Sequence, residues 1–198
     1  MLSGRQFSLA WSCWRWGATI RLTPYVGSRY SLLVTLPIYS GFQVDSASMQ
    51  FVEQLPWIER FNIHYHLGID GISFWFIPLT AFMTVIVVIS AWEVITERVN
   101  QYMGAFLILS GLMIGVFCAL DGMLFYVFFE ATLIPMYLII GIWGGPNKIY
   151  AAFKFFLYTL LGSLLMLLAL IYLYNKSGGS FDILTWHKLP LGGTVQTM

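Results

Sequence analysis

Residues 102–143 read YMGAFLILSGLMIGVFCALDGMLFYVFFEATLIPMYLIIGIW, a run of 42 residues whose charged side chains are Asp121 and Glu130 alone. As one α-helix at about 1.5 Å per residue it would be about 63 Å long, twice the roughly 30 Å hydrocarbon core of a bilayer. The run must therefore fold back. Asp121-Gly122 is the turn signal near its middle, so it reads as two spans, 102–120 and 122–143.

The same reading extends outward in both directions. Residues 71–92 carry no charge over 22 positions, about 33 Å of helix and enough for one crossing. Gly144-Gly145-Pro146-Asn147 breaks the chain. A last apolar run, 149–174, is closed by Asn175-Lys176-Ser177-Gly178-Gly179. The expected class is an all-α membrane protein with about four transmembrane helices in a polytopic bundle.

Composition agrees with this class. Of 198 residues, 59% are hydrophobic, 18% aromatic and only 10% charged, with a mean hydropathy of +0.77. A soluble domain carries about 25% charged residues, so a soluble enzyme, a nucleic-acid binder and a disordered tail are excluded. The formal charge of +1 offers no field to steer a polyanion. Cys13 and Cys118 lie far apart, which argues against a disulfide framework or a paired-cysteine metal site.

The ends read differently. Residues 1–30 hold Arg5, Arg15, Arg21 and Arg29, with no acid before Asp45 and with Trp11, Trp14, Trp16 and Tyr25 among them. This is the composition of a basic arm on a membrane surface; an organelle leader shares the arginine bias. Residues 31–68 read as an interfacial segment and a surface strand. The apolar stretch 30–42 contains Pro37 and is too short to cross. Phe61, Ile63, Tyr65 and Leu67 then alternate with Arg60, Asn62, His64 and His66, the period of a strand or hairpin lying before the first span. His64 and His66 on one strand face would make two metal ligands and lack a third. Residues 175–198 form a polar tail. Three basic residues on each side (Arg98, Lys148 and Lys154 against Arg60, Lys176 and Lys188) leave orientation undecided by charge.

Glu130 is the residue that structure alone does not require. It lies about 4 Å from the midpoint of 122–143, where a charged side chain costs about 2.5–3.5 kcal/mol or more. Carboxyls at such depth face a bundle interior or a water path and belong to ion or proton relays. Hydrocarbon disfavours the ionised form, so a carboxyl there holds its proton until a cation or a file of water approaches. At 100° per residue, Tyr126, Glu130 and Tyr137 project within about 40° of one another. Pro135 cannot donate to the carbonyl of Ala131, which leaves that acceptor free beside the site. The plainer reading is a protonated Glu130 that joins two helices by a hydrogen bond. Lys154 is the candidate cation across the 144–147 turn to bias the Glu130 proton, and the competing reading makes it a snorkelling anchor. Asp121 reads as a hairpin cap, Gly111 and Gly115 as a close-packing face, and Pro78 as a kink.

These residues carry a resemblance. Gly122–Tyr137 (GMLFYVFFEATLIPMY), with LGIDGISFWFIPLTAF (67–82), IIGIWGG (139–145) and AAFKFFLYTLLGSLLML (151–167), is similar in order and spacing to the antiporter-like membrane subunits of respiratory NADH:quinone oxidoreductase. The resemblance covers roughly residues 31–190. It implies that Glu130 belongs to a proton path and that the loop before 71–92 faces the periplasm. It also implies that NADH, flavin, iron–sulfur clusters and quinone are bound elsewhere in the complex and that this chain binds no cofactor or metal. The partners it implies are the other membrane and peripheral subunits and the lipid bilayer, with no nucleic acid, in a bacterial cell membrane or the mitochondrial inner membrane. Family members have many more helices, so an N-terminal portion is expected, with the lysines that tune the glutamate lying beyond residue 198. Residues 1–30 do not look like the helices that open the family. The alternatives are a subunit of a cation/proton antiporter or a membrane-bound hydrogenase, and an inactive membrane fragment.

Overall fold

A computed structural model describes residues 48–189, together with 27–29, 32, 33, 35, 37 and 41–43. Most of the basic arm, much of the interfacial stretch, Cys13 and the last nine residues lie outside the described residues. The described positions between 27 and 41 have helical backbone, with Ser28 and Thr35 buried.

Strand β1 (Gln50–Ile58) pairs antiparallel with β2 (Ile63–Ile69), with Gln54 opposite His66 and Pro56 opposite His64. The expected surface hairpin is present. Asn62 closes it in the left-handed region at φ 53°, a conformation that asparagine tolerates. Phe51, Val52, Leu55, Trp57 and Phe61 are exposed on the hairpin, the amphipathic composition of a membrane–water boundary.

Four long helices follow: α1 (Ser73–Val94), α2 (Val99–Cys118), α3 (Gly122–Trp143) and α4 (Lys148–Lys176). All four are long and apolar enough to cross a membrane. They pack in chain order, α1 on α2, α2 on α3 and α3 on α4. A short helix, α5 (Ile183–Trp186), lies in the tail. The third span falls at 122–143, as read from sequence; the others shift by a few residues for local reasons. The first begins at 73, just after a turn held by reciprocal bonds in which the Asp70 carboxylate accepts from the Ser73 amide at 2.6 Å and Ser73 Oγ accepts from the Asp70 amide at 2.9 Å. The second starts earlier, at Val99, because Asn100 and Gln101 are polar without being charged and extend the helix outward. It ends at Cys118 because Ala119 and Leu120 turn extended. The fourth runs to Lys176, whose cation suits a helix C-terminus.

Between α2 and α3 the extended residues 119–121 find strand-like partners on both sides. Leu120 donates to the His66 carbonyl at 2.9 Å, and Ile183 donates to the Leu120 carbonyl at 3.1 Å. Bridges join Leu67 with Ala119 and Asp121 with Asp182. The non-helical backbone between two spans is thus satisfied by the hairpin and by the tail, which binds three segments at one end of the bundle. Asp121 is the cap expected of it: it is 2% exposed, and its carboxylate accepts from the Met123 and Leu124 amides. Gly115 packs against α3, where an added Cβ would lie 2.9 Å from the Phe128 ring; the small residue permits the close approach.

Candidate functional site

The site is built on α3, one helix pairing away from α2 on one side and α4 on the other. Helix α3 spans the same residues as the sequence reading, so Glu130 keeps its place about 4 Å from the helix midpoint. Its side chain is half-buried, and Oε1 is buried with no hydrogen-bond partner. One turn earlier, the Tyr126 side chain interacts with Glu130 and also with Ser163 of α4. Ser163 is 3% exposed and donates to the Leu160 carbonyl at 2.9 Å. A carboxyl and a phenol therefore lie one turn apart on α3 at mid-depth, with the Ser163 hydroxyl of α4 near the phenol. This is a set of groups that can accept and pass a proton.

Tyr137 shares the Glu130 face but not its contacts. Its ring packs edge-on against Phe153 and Phe156, each at 5.7 Å between centroids. That packing also fixes the level of α4 beside α3. With Tyr137 opposite 153–156 and Tyr126 opposite Ser163, Glu130 lies opposite 159–162, and Lys154 is displaced roughly 10 Å along the bundle. Lys154 is exposed, with Nζ 5.8 Å from the Tyr150 ring and 6.0 Å from the Tyr158 ring. The structure brings Glu130 and Tyr126 together and leaves Lys154 on the outer face of α4, held by aromatic rings in the manner of cation–π contacts.

Ser163 and Ser110 are the polar residues that sequence reasoning passed over. Ser110 of α2 is 5% exposed, and its Oγ has no hydrogen-bond partner. The available signal was a hydroxyl inside a run otherwise almost wholly apolar, weak because serine is common in packed membrane helices. His64 and His66 lie on β2 beside two carboxylates of other segments. His64 gives its backbone amide to Asp121 at 3.2 Å, and His66 Nδ1 lies 3.9 Å from Asp182. Among the described residues no cluster of three or more His, Cys, Asp or Glu could hold a metal ion.

Four successive helices long and apolar enough to cross a membrane, with a carboxyl at mid-depth on the third, make the arrangement of a polytopic membrane protein. Residues 119–193 match the family described as NADH:quinone oxidoreductase/Mrp antiporter, TM. The chain is similar to NADH-quinone oxidoreductase subunit M of Rhodobacter capsulatus, 57% identical over 155 residues, covering 78% of this chain and 30% of that protein. It is likewise similar to NADH-ubiquinone oxidoreductase chain 4 of Arabidopsis thaliana, 48% identical over 160 residues, covering 80% and 32%. The chain thus spans about a third of the length of these relatives. A chain in the structure of respiratory complex I from Thermus thermophilus with bound NADH superposes with a TM-score of 0.80 at 28% identity, covering 97% of this chain and 40% of that one. A chain of the Mrp complex from Dietzia sp. DQ12-45-1b shares the fold, with a TM-score of 0.78 at 18% identity, covering 90% of this chain and 20% of that one.

Proposed function

We propose that this chain is a portion of the membrane-arm proton-pumping subunit of NADH:quinone oxidoreductase, and that Glu130 is the group on which a translocated proton rests. The observation that carries the reading is a carboxyl oxygen buried at mid-span without a hydrogen-bond partner, with the Tyr126 phenol one turn away on the same face. A side chain kept only to join helices would have both oxygens engaged, because an unsatisfied buried acceptor costs about 1–3 kcal/mol. The similarity to subunit M and chain 4 supplies the context. The partners are the other membrane and peripheral subunits and the surrounding bilayer of a bacterial or mitochondrial inner membrane. NADH, flavin, iron–sulfur clusters and quinone belong to the wider complex, and the part of this chain is proton movement coupled to their redox chemistry. Lys154 would act on Glu130 only through a shift of α4 along α3, and Tyr137 would guard the aromatic end of the path.

The family description also names the Mrp antiporter, so a cation/proton antiporter subunit is the second reading, with Glu130 in the same role. Co-purification with flavin- and iron–sulfur-bearing peripheral subunits separates the two. The test of the site is Glu130→Gln in the full-length subunit, with NADH-driven acidification followed in membrane vesicles. The expected result is an assembled complex that no longer moves protons through this subunit. Unchanged pumping would reduce Glu130 to a helix contact.

A further inference from the structure

Helices α3 and α4 form an antiparallel pair that the 144–147 turn joins at one end. Near that turn the two run close, and a Cβ on Gly141 would lie 3.7 Å from the Cβ of Ala152. At the other end no short connection exists. Helix α4 has 29 residues against 22 in α3, so it runs past the start of α3 by about seven residues, roughly 10 Å. The tail then comes back. Phe181 of the tail is 7% exposed and stacks on Tyr174 of α4 at 4.4 Å between centroids. Its carbonyl accepts the Gly122 amide at 2.8 Å. The Trp186 ring lies over Gly122 itself, where an added Cβ would overlap the edge of the ring. We propose that Trp186 is a positioning residue: seated in the notch at Gly122, it closes the open end of the α3–α4 pair and holds Ser163 beside the Tyr126 phenol. Its bearing on proton movement rests on the relay role of Glu130 proposed above.

Distance makes this the end that governs the site. Tyr126 lies one turn from Gly122, about 6 Å along α3, whereas Trp143 at the turn is about 26 Å away. Between the turn and the tail the grip is thin, since the buried residues of α4 are Ala152, Ser163 and Leu170 alone. Apolar side chains lose no hydrophobic energy when they face lipid instead of a neighbouring helix, so such a pair can part at its open end at little cost. A large ring in a glycine notch fits at one level and one spacing.

The ring is itself held in place. Trp186 Nε1 donates to the Ser180 carbonyl at 3.0 Å, and the Asp182 carboxylate caps α5 by accepting from the Leu184 and Thr185 amides. The indole is therefore presented from a braced loop. Gly122 does not adopt a positive φ, so its backbone does not call for glycine, and the seat of the ring accounts for the missing side chain.

The test uses the full-length subunit in the assembled complex. Cysteines placed at 126 and 163 are bridged by a short bifunctional thiol reagent, and cysteines at 141 and 152 serve as the control beside the turn. Trp186→Ala should lower bridging of 126 to 163 by about fivefold, a shift within the coupling range of side chains in contact, and leave 141 to 152 unchanged. Gly122→Ala should do the same by pushing the ring out. Adding Trp186→Phe, a shorter ring that admits the methyl group, should restore the bridging. With Tyr126 and Ser163 intact, proton flux per assembled complex should fall in Gly122→Ala and return in the double variant. Unchanged bridging of 126 to 163 in Trp186→Ala, an equal loss at both pairs, or a double variant no better than Gly122→Ala would overturn the proposal. Bridging is independent of what Glu130 does. Bridging that responds as stated, with flux indifferent to Glu130→Gln, would therefore refute the relay and leave the positioning in place.

Discussion

The Oδ2 atom of Asp121 accepts a hydrogen bond from the backbone amide of His64 at 3.2 Å, across 57 residues of sequence. The same carboxylate takes the Met123 and Leu124 amides on Oδ1, at 2.9 and 3.1 Å. One buried side chain therefore anchors the start of β2, caps α3 and fixes where the two middle helices turn.

Asp121→Ala should cost the most of any substitution outside the spans. Loss of the cap costs about 1 kcal/mol, and the orphaned His64 amide adds about 1–3 kcal/mol. The expected outcome is a drop of several degrees in the unfolding midpoint in detergent, with Asp121→Asn intermediate because one amide oxygen can still accept. Equal melting of all three proteins would show the cap to be idle.

Gly115→Leu should separate α2 from α3. Even a bare Cβ would lie 2.9 Å from Phe128, and overpacking a tight interface costs about 1–3 kcal/mol. Gly115→Ala is the milder case, since the Phe128 ring can turn. Paired cysteines across α2 and α3 would report the separation as a loss of cross-linking.

The spans were legible in the sequence because a bilayer imposes a length and forbids charge, and both are visible in one chain. The gap between Asp121 and Trp143 gave α3 without error, and Glu130 stood out as the lone carboxyl within it. Helix ends were less legible, because uncharged polar residues such as Asn100 and Gln101 sit equally well in a helix or a loop. What periodicity could not show was pairing at a distance. Residues 175–198 read only as a polar tail, yet Phe181 supplies the Gly122 amide with an acceptor at 2.8 Å and Ile183 donates to the Leu120 carbonyl. The level of Lys154 was hidden for the same reason: the 144–147 turn places it near Glu130 in sequence, while the stagger of α4 on α3 carries it past.

Acid should loosen the start of α1. Asp70 is held below its ordinary value chiefly by the Ser73 amide. A depressed folded value means that its contribution is complete above the unfolded value and fades as pH falls through the folded one. Protection of the first-turn amides of α1, taken relative to their intrinsic exchange rate at each pH, should therefore fall on acidification into the carboxylate range and stay constant from pH 5 to 8. Asp70→Asn should remove this dependence, and a variant that kept it would assign the titration elsewhere.

Tyr126→Phe isolates the phenol from the carboxyl. The substitution preserves the ring and removes the hydroxyl that lies near both Glu130 and Ser163. If Tyr126 conducts, the full-length subunit should assemble normally and lose proton flux by about tenfold or more, the scale of one hydrogen bond to a charged group at about 1.5–3 kcal/mol. Ser163→Ala should cost less, since Tyr126 still reaches Glu130, and the double substitution should cost no more than Tyr126→Phe alone if the two hydroxyls act in series. Independent, additive losses would place them on separate paths. Flux unchanged in Tyr126→Phe but abolished in Glu130→Gln would mean that water alone serves the carboxyl and that the phenol only fills space between α3 and α4.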